Sequence, residues 1–513
     1  MKKITALLIV FALACSLLVG CNDNAETESG HESVEEQSAE SKVESVVSED
    51  ESSEAESSEA ESNEASDESK DEELNISDYF AETFDRSDGS KIYCIDNKDQ
   101  LYNFADLVNK ENIDFDGDVI LLRNDIELNS TDNIDDWENN PPENKWTPIG
   151  ISVSFKGTFV GGYAVDNGLN TYRHQTERKA INGIYCTYNK KRVALFADIE
   201  DAEISNITLG KGKIIGNEED LLGRAAGFVV YAEDSKITYC RNYADVSGRY
   251  AAGIACYVRG TEIEATNYGK ISAANGEAAG IALSSSNSEI ECTNYGEITG
   301  NYAAGILYDQ GGSVIRCCVN KGNVTAELIA GGILGAGSTS GTASSAAVVA
   351  SCVNYGDIVG GDIAGGIIGD LWEEQTAMWV MDVLNVGSVT TLSYDEDSPL
   401  GIPYGSAGGI VGRLICCSIS GLGNFRLDGA LNLGKITAPG DYGAIIGDEP
   451  TKQDTDLFAN CYYLNTTVKD SFVGTPLKKS QLTDEDVLEG LDHMNWEIDE
   501  ELGHPVLIHI FEY

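Results

Sequence analysis

Three aspartates at alternate positions, Asp114, Asp116 and Asp118, are the first group in this chain with a chemical use. Oxygen ligands so spaced suit a hard cation, which makes them candidate calcium ligands. With Gly117 just ahead of the apolar run 119–122, the same residues also read as a turn entering a strand. Glycoside hydrolysis needs two carboxylates about 5 to 10 Å apart, and Asp135-Asp136 is one adjacent pair. In a chain with 85 Asp and Glu, such pairs arise from composition alone. The five histidines, at 31, 174, 493, 504 and 509, include no His-Glu-x-x-His frame, so that type of zinc protease is excluded. No Gly-x-Ser-x-Gly elbow or phosphate-binding loop occurs, and calcium is the one cofactor the residues allow for.

Tyrosine and cysteine recur at fixed places. Tyr243, Tyr268, Tyr295 and Tyr355 each follow an asparagine, and Cys240, Cys292, Cys318 and Cys352 each stand two residues before one. Ala265, Val383 and Ala430 take the cysteine's place in other copies, which marks a small, apolar, inward position and predicts a stack of buried thiols. Disulfides between neighbouring copies are the alternative reading. Without Cys15 and Cys21, the 13 cysteines leave an odd number, so complete intrachain pairing is impossible. The tyrosines make a row: either ring stacking that steadies a corner, or a platform for sugar rings.

What positions these residues is a repeat. Asn242, Asn267, Asn294 and Asn320 lie 25, 27 and 26 residues apart, with degenerate copies at Asn354, Asn385 and Asn432. Behind them come Ala252-Gly253-Ile254, Ala279-Gly280-Ile281, Ala304-Gly305-Ile306 and Gly331-Gly332-Ile333, then Gly365-Gly366-Ile367 and Gly408-Gly409-Ile410. Within each copy apolar and polar residues alternate, as short strands require, and helices are excluded. Asn-x-Gly is expected to break each strand by adopting left-handed backbone, and the asparagines to form an internal amide ladder. A unit of about 26 residues with three short strands suits one coil of a solenoid. The fold class is therefore all-β, a right-handed parallel β-helix of about ten coils, near 50 Å long at the interstrand spacing. Insertions at 336–347, 392–405 and 413–428 belong at corners.

Open coils need covers at the ends. Leu101, Phe104, Ala105 and Val108 fall at i, i+3, i+4 and i+7, an amphipathic helix over 96–110 that closes the first coil. A second short helix, with Thr483-Asp484-Glu485-Asp486 ahead of Val487, Leu488, Leu491 and Met494, opens the closing cap. The expected organisation is 77–180 for the cap and first coils, 181–465 for the repeats and 466–513 for the C-terminal cap.

Gly331-Gly332-Ile333-Leu334-Gly335 and its later copies resemble the GLUG-repeat β-helices of bacterial surface proteins, which also occur in non-catalytic regions of immunoglobulin-cleaving metallopeptidases. Trp146-Thr147-Pro148-Ile149-Gly150 is similar to the entry segment of those domains. The middle copies depart from that pattern, carrying Ala-Ala-Gly where a second glycine is expected.

The chain's formal net charge of −51 excludes a nucleic-acid binder. Lys2 and Lys3, an apolar run from Ile4, and Leu18-Val19-Gly20-Cys21 resemble a bacterial lipoprotein signal peptide over 1–21, which implies lipidation of Cys21, a membrane partner through that anchor, and the extracellular face of the cell membrane as location. Residues 22–76 are rich in Ser and Glu and too polar to fold, a disordered linker. Together these point to a cell-surface lipoprotein whose non-catalytic head serves adhesion, binding a glycan or a host surface protein, with Tyr243, Tyr268, Tyr295 and Tyr355 as candidate glycan contacts. A polysaccharide lyase or glycosidase on the same scaffold is the competing class, and a spacer without ligand the third.

Overall fold

The computed structural model describes residues 74–508 except 163–177, 190, 339–345, 374–376, 393–404, 417–424, 449–456, 469–470 and 493. Residues 1–21 with Cys21, read above as a signal peptide, nearly all of the segment read as a linker, and most of the late insertions lie outside the described residues. Within them the chain forms three parallel sheets of 18, 15 and 9 strands, the parallel β-helix that the repeat predicts.

One coil shows how the pattern works. Glu289–Asn294 lies on a first face, Ile298–Ala304 on a second and Leu307–Gly311 on a third. Each strand pairs in register with the same segment one coil away: Ile290 with Ile263, Cys292 with Ala265, Asn294 with Asn267. Ile290, Ile298 and Ile306 turn inward and are fully buried. A single coil would expose them, and stacking removes them from water at about 1.5 to 3 kcal/mol each.

At the start, the helix Lys98–Glu111 buries Leu101, Phe104, Ala105, Leu107 and Val108. Asn97 caps it by accepting from Gln100 N at 3.1 Å. Phe104 packs on Phe155 and Phe159, so the helix closes the first coil as predicted. Among the described residues antiparallel pairing occurs only at the two ends, between Glu82–Asp85 and Lys91–Ile95 and between Trp496–Asp499 and His504–Leu507.

The C-terminal segment differs from a simple end cap. Thr475–Leu477 adds the last strand of the first face. The chain beyond it then lies on the outside of earlier coils, where Leu482, Val487, Leu491, Trp496 and Leu507 pack on Val353, Leu384 and Leu431. The reason is local. The outward position before each asparagine is Arg241, Thr266 or Thr293 in early coils but Val353, Leu384 and Leu431 in late ones, and an apolar outer wall needs a cover.

Candidate functional site

The asparagines form a continuous internal ladder. Nδ2 of Asn242, Asn267, Asn294, Asn320, Asn354 and Asn385 each donates to Oδ1 of the next, at 2.8 to 2.9 Å, ending on Asn432. The other amide hydrogen goes to the backbone oxygen two residues on, as in Asn294 to Gly296 at 3.0 Å. All seven side chains are fully buried.

The expected reason for Asn-x-Gly is corrected here. Neither the ladder asparagines nor the glycines two residues later have positive φ. Those glycines are needed because a Cβ on Gly296 would lie 2.0 Å from Gly269 O and 2.7 Å from Asn267 Nδ2. Left-handed backbone occurs instead three residues before the asparagine, at Tyr239, Cys317, Ser351 and Asp382, as a bulge in the first face.

The tyrosine row exists. Tyr243 and Tyr268 stack at 4.5 Å and 2°, and Tyr268 and Tyr295 at 4.8 Å and 7°. Lys321 takes the next place, its Nζ 4.9 Å from the Tyr295 ring centre, and Tyr355 stands exposed one coil further on. The inner ring faces are therefore occupied by one another, and the row offers solvent mostly edges and hydroxyls.

Asp114, Asp116 and Asp118 form a turn. Asp114 Oδ1 accepts from Asp116 N at 3.2 Å and Asp118 Oδ1 from Lys91 N at 2.7 Å. Among the described residues no three His, Cys, Asp or Glu side chains are grouped to hold a metal. Cys186, Cys240, Cys256, Cys292, Cys318 and Cys352 are free thiols, and burial pushes those of Cys186, Cys240 and Cys256 up to about 12.

The residue pattern did not reveal a second aromatic strip. Where the second and third faces meet, their outward side chains fill the angle between them in a cluster separate from the interior. Its floor is Ala226, Ala252, Ala279 and Ala304, and its walls carry Tyr231, Tyr250, Tyr257, Tyr302 and Tyr308. The Arg224 guanidinium lies 5.6, 5.8 and 5.2 Å from the rings of Tyr231, Tyr250 and Tyr257. Ion pairs stand at both ends of this strip: Arg192 to Asp198 at 2.5 Å, and Arg413 to Asp370 in a fork at 2.8 and 2.6 Å. Between them the half-buried Glu277 has its carboxyl pushed up to about 7, first by burial and then by the charge of Asp309, with Arg249 and Arg224 opposing.

One sequence signal does mark this strip: the Ala-Ala-Gly copies. In later coils glycine takes the floor position, and a Cβ on Gly365 would come 1.7 Å from Ile368 O and 2.7 Å from Gly412 N. Backbone fills the angle there. Where alanine stands, that close approach is impossible, and tyrosines fill the wider angle instead.

No family model matches the chain, and no curated protein matches it. Among solved structures it is similar to a crystal structure of a candidate immunoglobulin A1 protease from Bacteroides ovatus, with 13% identity, a TM-score of 0.32, and coverage of 85% of this chain and 96% of that one. A likeness at that level says nothing of what this chain does.

Proposed function

We propose that this chain is a lipid-anchored surface protein whose β-helical head binds glycan without cleaving it, along the tyrosine-lined angle between the second and third faces. The lipid anchor rests on the Cys21 pattern, and the acidic linker would hold the head away from the membrane. One observation carries the binding reading: five tyrosines and Arg224 gathered outside the core over consecutive coils, on a floor of alanines. Aromatic walls with nearby polar groups are what sugar rings, with one apolar face and a hydroxylated rim, require. The row from Tyr243 to Tyr295 is the weaker platform, because its inner ring faces cover each other.

A glycan array with the full chain tests this. A Tyr231→Ala, Tyr257→Ala variant should lose at least tenfold in binding, while a Tyr243→Ala, Tyr268→Ala, Tyr295→Ala variant keeps it. The reverse outcome moves the site to the stacked row. No binding by the wild-type chain leaves the head a spacer, and release of unsaturated or reducing sugars makes it an enzyme.

A further inference from the structure

The register around Glu277 places a gap in the tyrosine strip. On the third face the wall residues run Tyr231, Tyr257, Ser284, Asp309 in consecutive coils. On the second they run Arg224, Tyr250, Glu277, Tyr302. Ser284, the smallest of its wall, thus shares a coil with Glu277. Tyr257 and Asp309, on either side of it, are two strand spacings apart, about 9.6 Å. That width holds one saturated ring in contact with both neighbours.

Two features keep the gap open. Glu277 follows a bulge between Ala273 and Glu277, a device that redirects side chains. Gly276 in that bulge lies on Arg249, where a Cβ would come 1.9 Å from the Arg249 oxygen. The Tyr308 ring packs over the following coil, where a Cβ on Gly335 would be 2.4 Å from its Cδ2.

We infer that this notch is a subsite for one uncharged sugar ring, held by the carboxyl group of Glu277 and flanked by Tyr257 and Tyr302. The inference rests on the glycan reading above and adds the ligand's charge and the residue that recognises it. A protonated carboxyl both donates and accepts, so it can bridge neighbouring sugar hydroxyls. Asp309 on the opposite wall accepts from a further hydroxyl. The groups facing Glu277 are Asp309, Arg249, Arg224, Tyr302 and Tyr308. Arg224 is already enclosed by three tyrosine rings; the Arg249 backbone oxygen accepts from the Glu277 N–H at 3.0 Å, and its guanidinium is the cation that opposes the rise at Glu277. A uronate in the notch would set its charge beside Glu277 and Asp309, on a chain of net charge −51.

The test uses the full chain with cellohexaose, chitohexaose and xylohexaose as neutral probes and hexagalacturonate as the acidic one, read by calorimetry from pH 5.5 to 8.5. At least one neutral probe should bind tenfold or more tighter than hexagalacturonate. Glu277→Ala should lose at least tenfold, and Glu277→Gln should stay within threefold of wild type at pH 5.5. Wild-type affinity should fall severalfold through pH 7 while Glu277→Gln stays flat. Ser284→Tyr extends the tyrosine wall of the neighbouring coils, should keep the melting temperature, and should abolish binding. Equal binding of hexagalacturonate overturns the inference. So does unchanged binding in Glu277→Ala and Ser284→Tyr where Tyr257→Ala abolishes it, and in that case the glycan reading stands. If wild type binds none of the probes, both fall.

Discussion

Asn294 donates one amide hydrogen to Asn320 Oδ1 at 2.9 Å and the other to Gly296 O at 3.0 Å, while its own Oδ1 accepts from Asn267 at 2.8 Å. A buried amide with every site engaged ties three coils together. Replacing it strands a donor on one side and an acceptor on the other, each at about 1 to 3 kcal/mol. Asn294→Ala should therefore destabilise the head by about 3 kcal/mol or more. Asn242→Ala, at the end of the ladder, strands one neighbouring amide instead of two and should cost roughly half. Calorimetric melting of the two variants checks the order, and equal costs would sink the ladder as a cooperative element.

Gly296→Ala tests the glycine column separately. The new Cβ meets backbone, Gly269 O at 2.0 Å, not a movable side chain. Overpacking of that kind costs about 1 to 3 kcal/mol. Gly117→Ala is the control: nothing lies within 4 Å, and the cost comes only from its φ of +74°, about 1 kcal/mol. A milder effect at Gly296 than at Gly117 would refute the packing argument.

Asp382 accepts from Trp496 Nε1 and Asn495 Nδ2, both at 2.8 Å, and so ties the C-terminal segment to the first face. Removing it leaves the buried indole N–H unpaired. In Asp382→Ala, limited proteolysis should cut within residues 478–508 at least tenfold faster than in wild type, with the preceding coils intact. Uniform fragmentation instead would mean that the segment is part of the core.

How much of this was legible in the sequence follows from which contacts are periodic. Asn242 through Asn432 repeat at one position of the coil, and position alone places them in one column; the amide ladder follows. The glycine beside them was legible as a requirement but not as to its cause, because steric contact with the coil above is invisible along one chain. Val353, Leu384 and Leu431 broke the polar pattern of the outer wall, and that signal for a covering segment lay in plain view. The strip around Glu277 was harder. Tyr250 and Tyr302 each stand eight residues after a ladder asparagine but Tyr257 stands fifteen after one, and only the angle between two faces brings these positions together.

The thiols give a further check. Burial pushes Cys240 and Cys256 up to about 12 and Cys317 to about 11. Because the thiolate is the reactive form, alkylation of these three thiols at pH 8 should be slow. The half-buried Cys317 should label first, and Cys240, Cys256 and Cys292 only on unfolding. Peptide mapping after iodoacetamide treatment reads this directly. Recovery of Cys318 joined to Cys352 would show instead that neighbouring coils are bridged.

Glu277 makes stability depend on pH in a definite direction. Its carboxyl sits at about 7 in the folded chain against an ordinary 4.5, raised first by burial. The contribution is therefore fully present below pH 4.5 and is lost as pH rises through 7. Each pKa unit corresponds to about 1.4 kcal/mol. Discounted for partial exposure, the loss comes to about 1 to 2 kcal/mol. Glutamine keeps the shape without the charge, so Glu277→Gln should match wild type at pH 4.5 and exceed it by that amount at pH 8. Taking the difference between the two proteins cancels the other carboxylates. A gap that stays constant from pH 4.5 to 8 would show that Glu277 titrates in the ordinary range and that its surroundings are wet.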